Sequence, residues 1–184
     1  MRLLPVLLSA ACVGLSGCAV MSVSECQVAD WLDVGQRDAF AGRQKRFAEY
    51  EKACAKANIQ PNQALYDTGY TKGRFEYCQP EVIFQSSLEG SGSYQICPVA
   101  QHAELKPYHD VAAQYYQAKK VKDQLFDELE RYQGYLLDPK LSKENRETYT
   151  RRIRELKIKQ ERIEFDYFDA EHKLARFKRE RGLK

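Results

Sequence analysis

The chain has 184 residues, 43% of them hydrophobic and 30% charged, and its 29 Lys/Arg against 26 Asp/Glu leave a net charge of +3. So even a balance excludes a polybasic nucleic-acid binder, and the length suits one compact domain or a small domain with an extended element. Past residue 20 no segment is apolar for long enough to predict a membrane-spanning helix.

The N-terminus reads as a lipoprotein leader. Arg2 supplies a positive start, residues 3–14 form an apolar run too short to remain in a bilayer as a helix, and Leu15-Ser16-Gly17-Cys18 closes it. A cysteine after two small residues at this point is expected to carry thioether-linked diacylglycerol, to become the first residue once 1–17 are removed, and then to be N-acylated. An ordinary secretory leader with an incidental cysteine is the alternative. Two or three acyl chains on Cys18 anchor firmly where one does not. Ala19 rather than Asp follows, which favours the outer membrane, so a periplasm-facing, cell-envelope location is expected. Export argues further against nucleic-acid partners.

Of the six cysteines, Cys12 leaves with the leader and Cys18 takes the lipid. Cys26, Cys54, Cys78 and Cys97 remain in an oxidising compartment and predict two disulfides. No two lie at C-x-x-C spacing, and His102, His109 and His172 do not cluster with them, so neither a metal nor any cofactor beyond the covalent lipid is expected. The expected organisation is mainly α: a leader (1–17), a small disulfide-stapled helical domain (18–103) and a long antiparallel, coiled-coil-like helical hairpin (104–184). The stapled part carries 8 Lys/Arg against 10 Asp/Glu and the remainder 20 against 16, a mild asymmetry.

After a short tether (19–24), Asp30 is a candidate cap for a helix from Trp31 that ends at Gly42. Phe47, Tyr50, Cys54 and Ala57 form one stripe of a second helix, stopped by Asn58 and Pro61. Two helices of similar length joined at Gly42 would return Cys54 to Cys26, which favours Cys26–Cys54 and Cys78–Cys97 among three connectivities. A third helix is expected from Pro61-Asn62 through Tyr77-Cys78. It repeats the first weakly: Leu32/Tyr66, Asp33/Asp67, Gly35/Gly69 and Ala39/Gly73 correspond. Glycine inside a helix costs about 1 kcal/mol relative to alanine, so close backbone approach is expected as compensation, with a ligand groove floored by bare backbone as the alternative. Residues 79–97 read as irregular, with a Gly-Ser loop at Glu89-Gly90-Ser91-Gly92-Ser93 that fits neither a Walker loop nor a nucleophile elbow.

The tryptophan–glycine helix, Cys54, the string from Tyr66-Asp67-Thr68-Gly69 through Gly73 to Tyr77-Cys78-Gln79-Pro80, and the closing Cys97-Pro98 together resemble the bacterial lipoprotein family known as domain of unknown function 2799. The resemblance covers about residues 24–100 with all four cysteines. It implies a cell-envelope lipoprotein and supplies no activity and no catalytic residue.

From about Pro107 the character changes. Val111, Tyr115, Ala118, Lys122, Leu125, Leu129, Tyr132 and Leu136 alternate steps of four and three, as do Tyr149, Ile153, Leu156, Gln160, Ile163, Tyr167, Ala170, Leu174 and Phe177. The break around Pro139, with Ser142 as the next cap, folds the two runs into a hairpin. The expected register sets Leu136 beside Tyr149, Ala118 opposite Tyr167 and Tyr115 opposite Ala170, with Lys122 snorkelling to water. Pairs Asp127/Arg131, Glu147/Arg151 and Glu155/Lys159 are expected to support the helices. Phe165 and Phe168, with Ile158 and Phe126 near them in pattern, lie off the seam and are expected to pack under the stapled domain, or else to form an exposed patch.

The sequence is compatible with three functions. The first is a non-enzymatic structural or protein-interaction module, bound to the membrane at Cys18 and meeting an envelope protein through the hairpin. The second is a binding module for an anionic envelope polymer or lipid surface, such as cell wall or lipopolysaccharide, motivated by the basic tail (173–184) and the Gly-Ser loop. A periplasmic hydrolase using Asp33, Asp38, Asp67 or Glu76 comes third, since their positions are explained by helix ends and solvent. No catalytic residue is expected.

Overall fold

A computed structural model describes residues 20–184. The leader and Cys18, with the processing and acylation expected there, lie outside the described residues. Seven α-helices make up the described chain, with no strand among them. A head (α1 to α5) passes directly into a two-helix arm (α6 and α7).

The head begins earlier than the expected tether allows. Helix α1 (Val23–Val28) starts at Ser22, whose hydroxyl accepts from the Glu25 backbone N–H while Glu25 accepts from the Ser22 N–H. This reciprocal cap satisfies two donors that a helix start leaves bare. Helix α2 (Trp31–Phe40) is capped by the Asp30 carboxylate on the N–H groups of Leu32 and Asp33, and the chain leaves it through Gly42 at φ +66°. Helix α3 (Phe47–Cys54) runs into a short 3-10 turn and stops at Asn58, in the left-handed conformation at φ 53°. Helix α4 (Gln63–Tyr77) is capped by the Asn62 side chain on the Leu65 N–H.

Helix α2 lies along α4, not back on α3. The two repeat halves pack on each other, backbone to backbone. A Cβ on Gly69 would come within 2.7 Å of the Leu32 carbonyl carbon, one on Gly73 within 2.9 Å of the Gln36 carbonyl carbon, and one on Gly35 within 2.8 Å of the Tyr70 nitrogen. The contacts advance one turn in both helices together (Leu32 to Gln36, Gly69 to Gly73), so the helices run in the same direction at this crossing. The close-approach expectation holds, and no space remains for a ligand groove on those glycines. Helix α3 meets α2 through long side chains, chiefly Tyr50 with Trp31 and Asp38, and its backbone approaches α1. The Cys26–Cys54 bond is therefore made, but across α1 and α3 instead of across an α2–α3 hairpin.

Residues 79–97 are not irregular throughout. Pro80 opens helix α5 (Pro80–Leu88), a favoured first position because its missing N–H would be unpaired there anyway. Ile83, Phe84 and Ser87 form its buried face. The Gly-Ser loop then turns through Gly90 at φ +71° and Gly92 at φ +70°, packing Gly92 against Tyr77 and Gly90 against the Tyr116 ring. Cys78–Cys97 closes the loop. A second cluster of Tyr77, Cys78, Ile83, Ile96, Cys97 and Leu105 carries the head into α6.

Helix α6 (His102–Leu136) has Pro107 inside it and starts ahead of the expected boundary at 104, with Leu105 fully inside the head core. Helix α7 (Lys143–Arg181) is capped by Ser142 on the Asn145 N–H and ends at Gly182. At 1.5 Å per residue these helices are about 50–60 Å long. They pair as an antiparallel hairpin along the two heptad faces. The tip is closed by Arg146, which donates to the carbonyls of Leu136 and Asp138, and by Tyr149 against Tyr132 and Tyr135. At the base Phe177 stacks on Phe84 of α5 and meets Tyr108 edge-on, with the Arg181 guanidinium over both α6 and α7 rings. Both ends of the hairpin are thus rooted in the head.

One detail of the arm differs from expectation. The Tyr167 ring lies against that of Tyr115 (5.8 Å), and Lys122, expected to snorkel to water, lays its ammonium 3.6 Å from the Tyr167 ring centre. A cation over an aromatic face is worth about 0.5–1 kcal/mol, which offsets part of the cost of a lysine on the seam. The helix-surface ion pairs also differ: Arg131 pairs with Glu128 and Glu155 with Arg152, while Lys106–Asp110, Lys119–Asp123 and Lys173–Asp169 span one turn.

Candidate functional site

The densest polar chemistry in the head surrounds Asp38. Trp31, Val34 and Asp38 fall at i, i+3 and i+7 on the buried face of α2, so a carboxylate sits where an apolar side chain would be ordinary. Asp38 is 2% exposed. One carboxylate oxygen accepts from the Tyr50 hydroxyl at 2.8 Å and the Tyr66 hydroxyl at 3.0 Å, and the other lies 3.4 Å from Arg43. Tyr66 in turn accepts from the Arg46 N–H, and Tyr70 donates to the Arg43 carbonyl. A buried carboxylate is costly unless it is hydrogen-bonded and paired, and here both conditions are met. Burial first, and then the bond to Asp38, pushes the Tyr50 phenol up to about 12. Burial also raises Tyr66 and Tyr70. The phenols are therefore held as donors. The network ties α2, α3 and α4 together and exposes no face to a substrate.

The other expected carboxylates do not join it. Asp33 bridges Arg37 within α2 at 2.9 Å, Asp67 takes the Lys45 ammonium at 2.6 Å, and Glu76 accepts from the Gln36 amide at 3.1 Å. The last two hold neighbouring elements together, and the first braces a single helix. The histidines are also dispersed: His102 meets the Cys97 carbonyl and the Tyr94 ring, His109 meets Asp110, and His172 lies tilted against the Phe168 ring. Among the described residues no three His, Cys, Asp or Glu side chains converge as a metal ion requires, and no helix is long and apolar enough to cross a membrane.

The surface offers a different feature. Ile158, Phe165 and Phe168 are 75%, 70% and 57% exposed, although burial under the head was expected. The physical reason is angular. Phe165 lies two residues before the seam residue Tyr167, Phe168 two before Ala170 and Ile158 two before Gln160, so each points about 200° away from the seam. The base of α7 meets the head through Phe177 on Phe84, and these three side chains lie nearer the tip. The result is an apolar line down the outer face of α7, separate from the face that pairs with α6. Phe126, 42% exposed, sits on α6 and does not extend it.

Sequence reasoning had no signal for the Tyr50–Asp38–Tyr66 network except the acid on an apolar stripe. Helix α5 was legible in the spacing of Ile83, Phe84 and Ser87 but was masked by the flanking proline and glycines.

The comparisons agree with the head. The family model described as "Protein of unknown function (DUF2799)" matches residues 30–114. The match begins after Cys26, so it holds three of the four cysteines, and it continues into the first turns of α6. No curated protein and no solved structure matches the chain. The segment from α2 to the root of the arm, residues 30–114, is thus similar to the DUF2799 family of unknown function.

Proposed function

We propose that the protein is a cell-envelope lipoprotein, lipid-anchored to the outer membrane at Cys18, that uses its hairpin arm as a protein-interaction module. The leader pattern ending at Cys18 supports the anchor. The observation that carries the interaction role is the exposed line of Ile158, Phe165 and Phe168 on the outer face of α7. Aromatic and aliphatic side chains aligned on a helix already satisfied on its other face are what a partner groove or helix takes up. The head acts as the rigid mount, and both ends of the arm are fixed to it. A photo-crosslinking amino acid at Phe165, in cells, is expected to give a discrete protein adduct that the double variant Ile158→Glu/Phe168→Glu loses at unchanged protein level. An adduct that survives the two glutamates would overturn the assignment of this face. The anchor is tested separately: Cys18→Ala is expected to abolish acyl labelling and release the protein from membranes.

A further inference from the structure

We infer that the head lies directly against the bilayer, with Val28, the exposed valine at the end of α1, seated in the lipid headgroup region. This rests on the lipid anchor at Cys18 and adds where the folded protein sits once anchored. Only Ala19 separates Cys18 from Val20. Two peptide units span at most about 7 Å. Val20 and Met21 already pack against the first core cluster, Met21 with its sulfur 4.0 Å from that of Cys54. The next residue caps α1, and α1 is stapled to α3 by Cys26–Cys54. No free linker therefore lies between acyl chains and folded core, and the head cannot stand off the membrane.

The side chains at that end suit an apolar contact. Cys26 is buried, so Val28, two residues on, points about 200° away from the core. It is 84% exposed. The one charged group on α1 is Glu25, and its carboxylate is folded back on the Ser22 N–H and hydroxyl. Attraction to anionic lipid is therefore not what holds α1 down; the covalent tether brings the apolar Val28 side chain to the surface, and the contact is expected to be insensitive to salt.

The test uses the full-length lipidated protein in vesicles of phosphatidylethanolamine and phosphatidylglycerol, with acyl chains brominated near the glycerol backbone as quenchers. Val28→Trp is compared with the parent, whose Trp31 is buried, and with Leu137→Trp at the arm tip. The expected result is at least twofold quenching of the V28W signal in both low and high salt, with the tip tryptophan unquenched. Flotation of the same samples separates the two layers of the inference. Protein that fails to float with vesicles overturns the anchor, and this inference with it. Protein that floats while V28W is quenched no more than L137W overturns the apposition and leaves the anchor standing. A ten-residue Gly-Ser insertion after Ala19 is expected to preserve flotation and abolish V28W quenching; quenching that survives the insertion would sink the tether argument.

Discussion

The head and the arm are both helical, but their helices hold together at different distances from the chain axis. In the head, Gly35, Gly69 and Gly73 let α2 and α4 touch through their backbones, and Asp38, Tyr50 and Tyr66 lock α3 to the pair. In the arm, side chains one layer thick separate α6 from α7, and Leu125, Leu129 and Ala170 are buried residues along that contact. Backbone contact tolerates no added atom, because neither helix can yield without losing its own hydrogen bonds. A side-chain seam adjusts rotamers, which is how Lys122 finds a place over Tyr167. The lesson is that small residues at four-residue spacing specify a unique partner face, whereas heptads specify a partner and leave local register adjustable.

The largest expected effect comes from the staples. Replacing Cys26 and Cys54 together by Ser frees a link spanning 28 residues and is expected to cost the head about 3–4 kcal/mol, with arm helicity by circular dichroism kept. Loss of the arm's helical signal along with the head would show that the two regions do not differ in this way.

Next comes Gly69→Ala. In a helix free of neighbours this change stabilises by about 1 kcal/mol; against the Leu32 carbonyl it is expected to destabilise by about 2–3 kcal/mol in urea melts. A neutral outcome would mean that α2 and α4 can part at little cost.

Asp38→Asn leaves the pair of phenols without a charged acceptor and is expected to cost about 1–3 kcal/mol. The same network sets an alkaline limit. The Tyr50 phenol titrates near 10.0 when free and at about 12 when folded, so between these values the folded state keeps a proton that the unfolded chain has released. Stability is then complete below the free value and falls as pH rises through the folded one. Urea midpoints across that range are expected to fall for the parent and to fall less steeply for Tyr50→Phe.

The smallest effect has the opposite sign. Gly134, near the end of α6, has nothing within 4 Å of the place a Cβ would occupy, so Gly134→Ala is expected to stabilise the arm by about 0.5–1 kcal/mol in thermal melts. The two glycine substitutions, made alike in head and arm, make the sharpest test of the comparison.

Much of this architecture was legible in the chain. The heptads of α6 and α7, the caps Asp30, Asn62 and Ser142, the pairing of the four cysteines and the close approach at the helical glycines all appear as expected. The route to the Cys26–Cys54 pairing was not: α2 and α3 do not form the hairpin that suggested it, and α1 begins inside the expected tether (19–24). Short helices such as α1 and α5 carry fewer than three turns of pattern, and periodicity over so few residues does not separate helix from loop.

What the sequence determined by itself was everything carried by spacing along one dimension: seam positions, helix ends, glycines four apart and an even cysteine count. Only the tertiary structure decided what faces what. It set the α2 glycines against α4, closed Asp38 in between two tyrosines, and left Ile158, Phe165 and Phe168 in the open. Periodicity fixes the angle at which a side chain leaves its helix, but whether that direction meets protein or water depends on where the other helices come to rest.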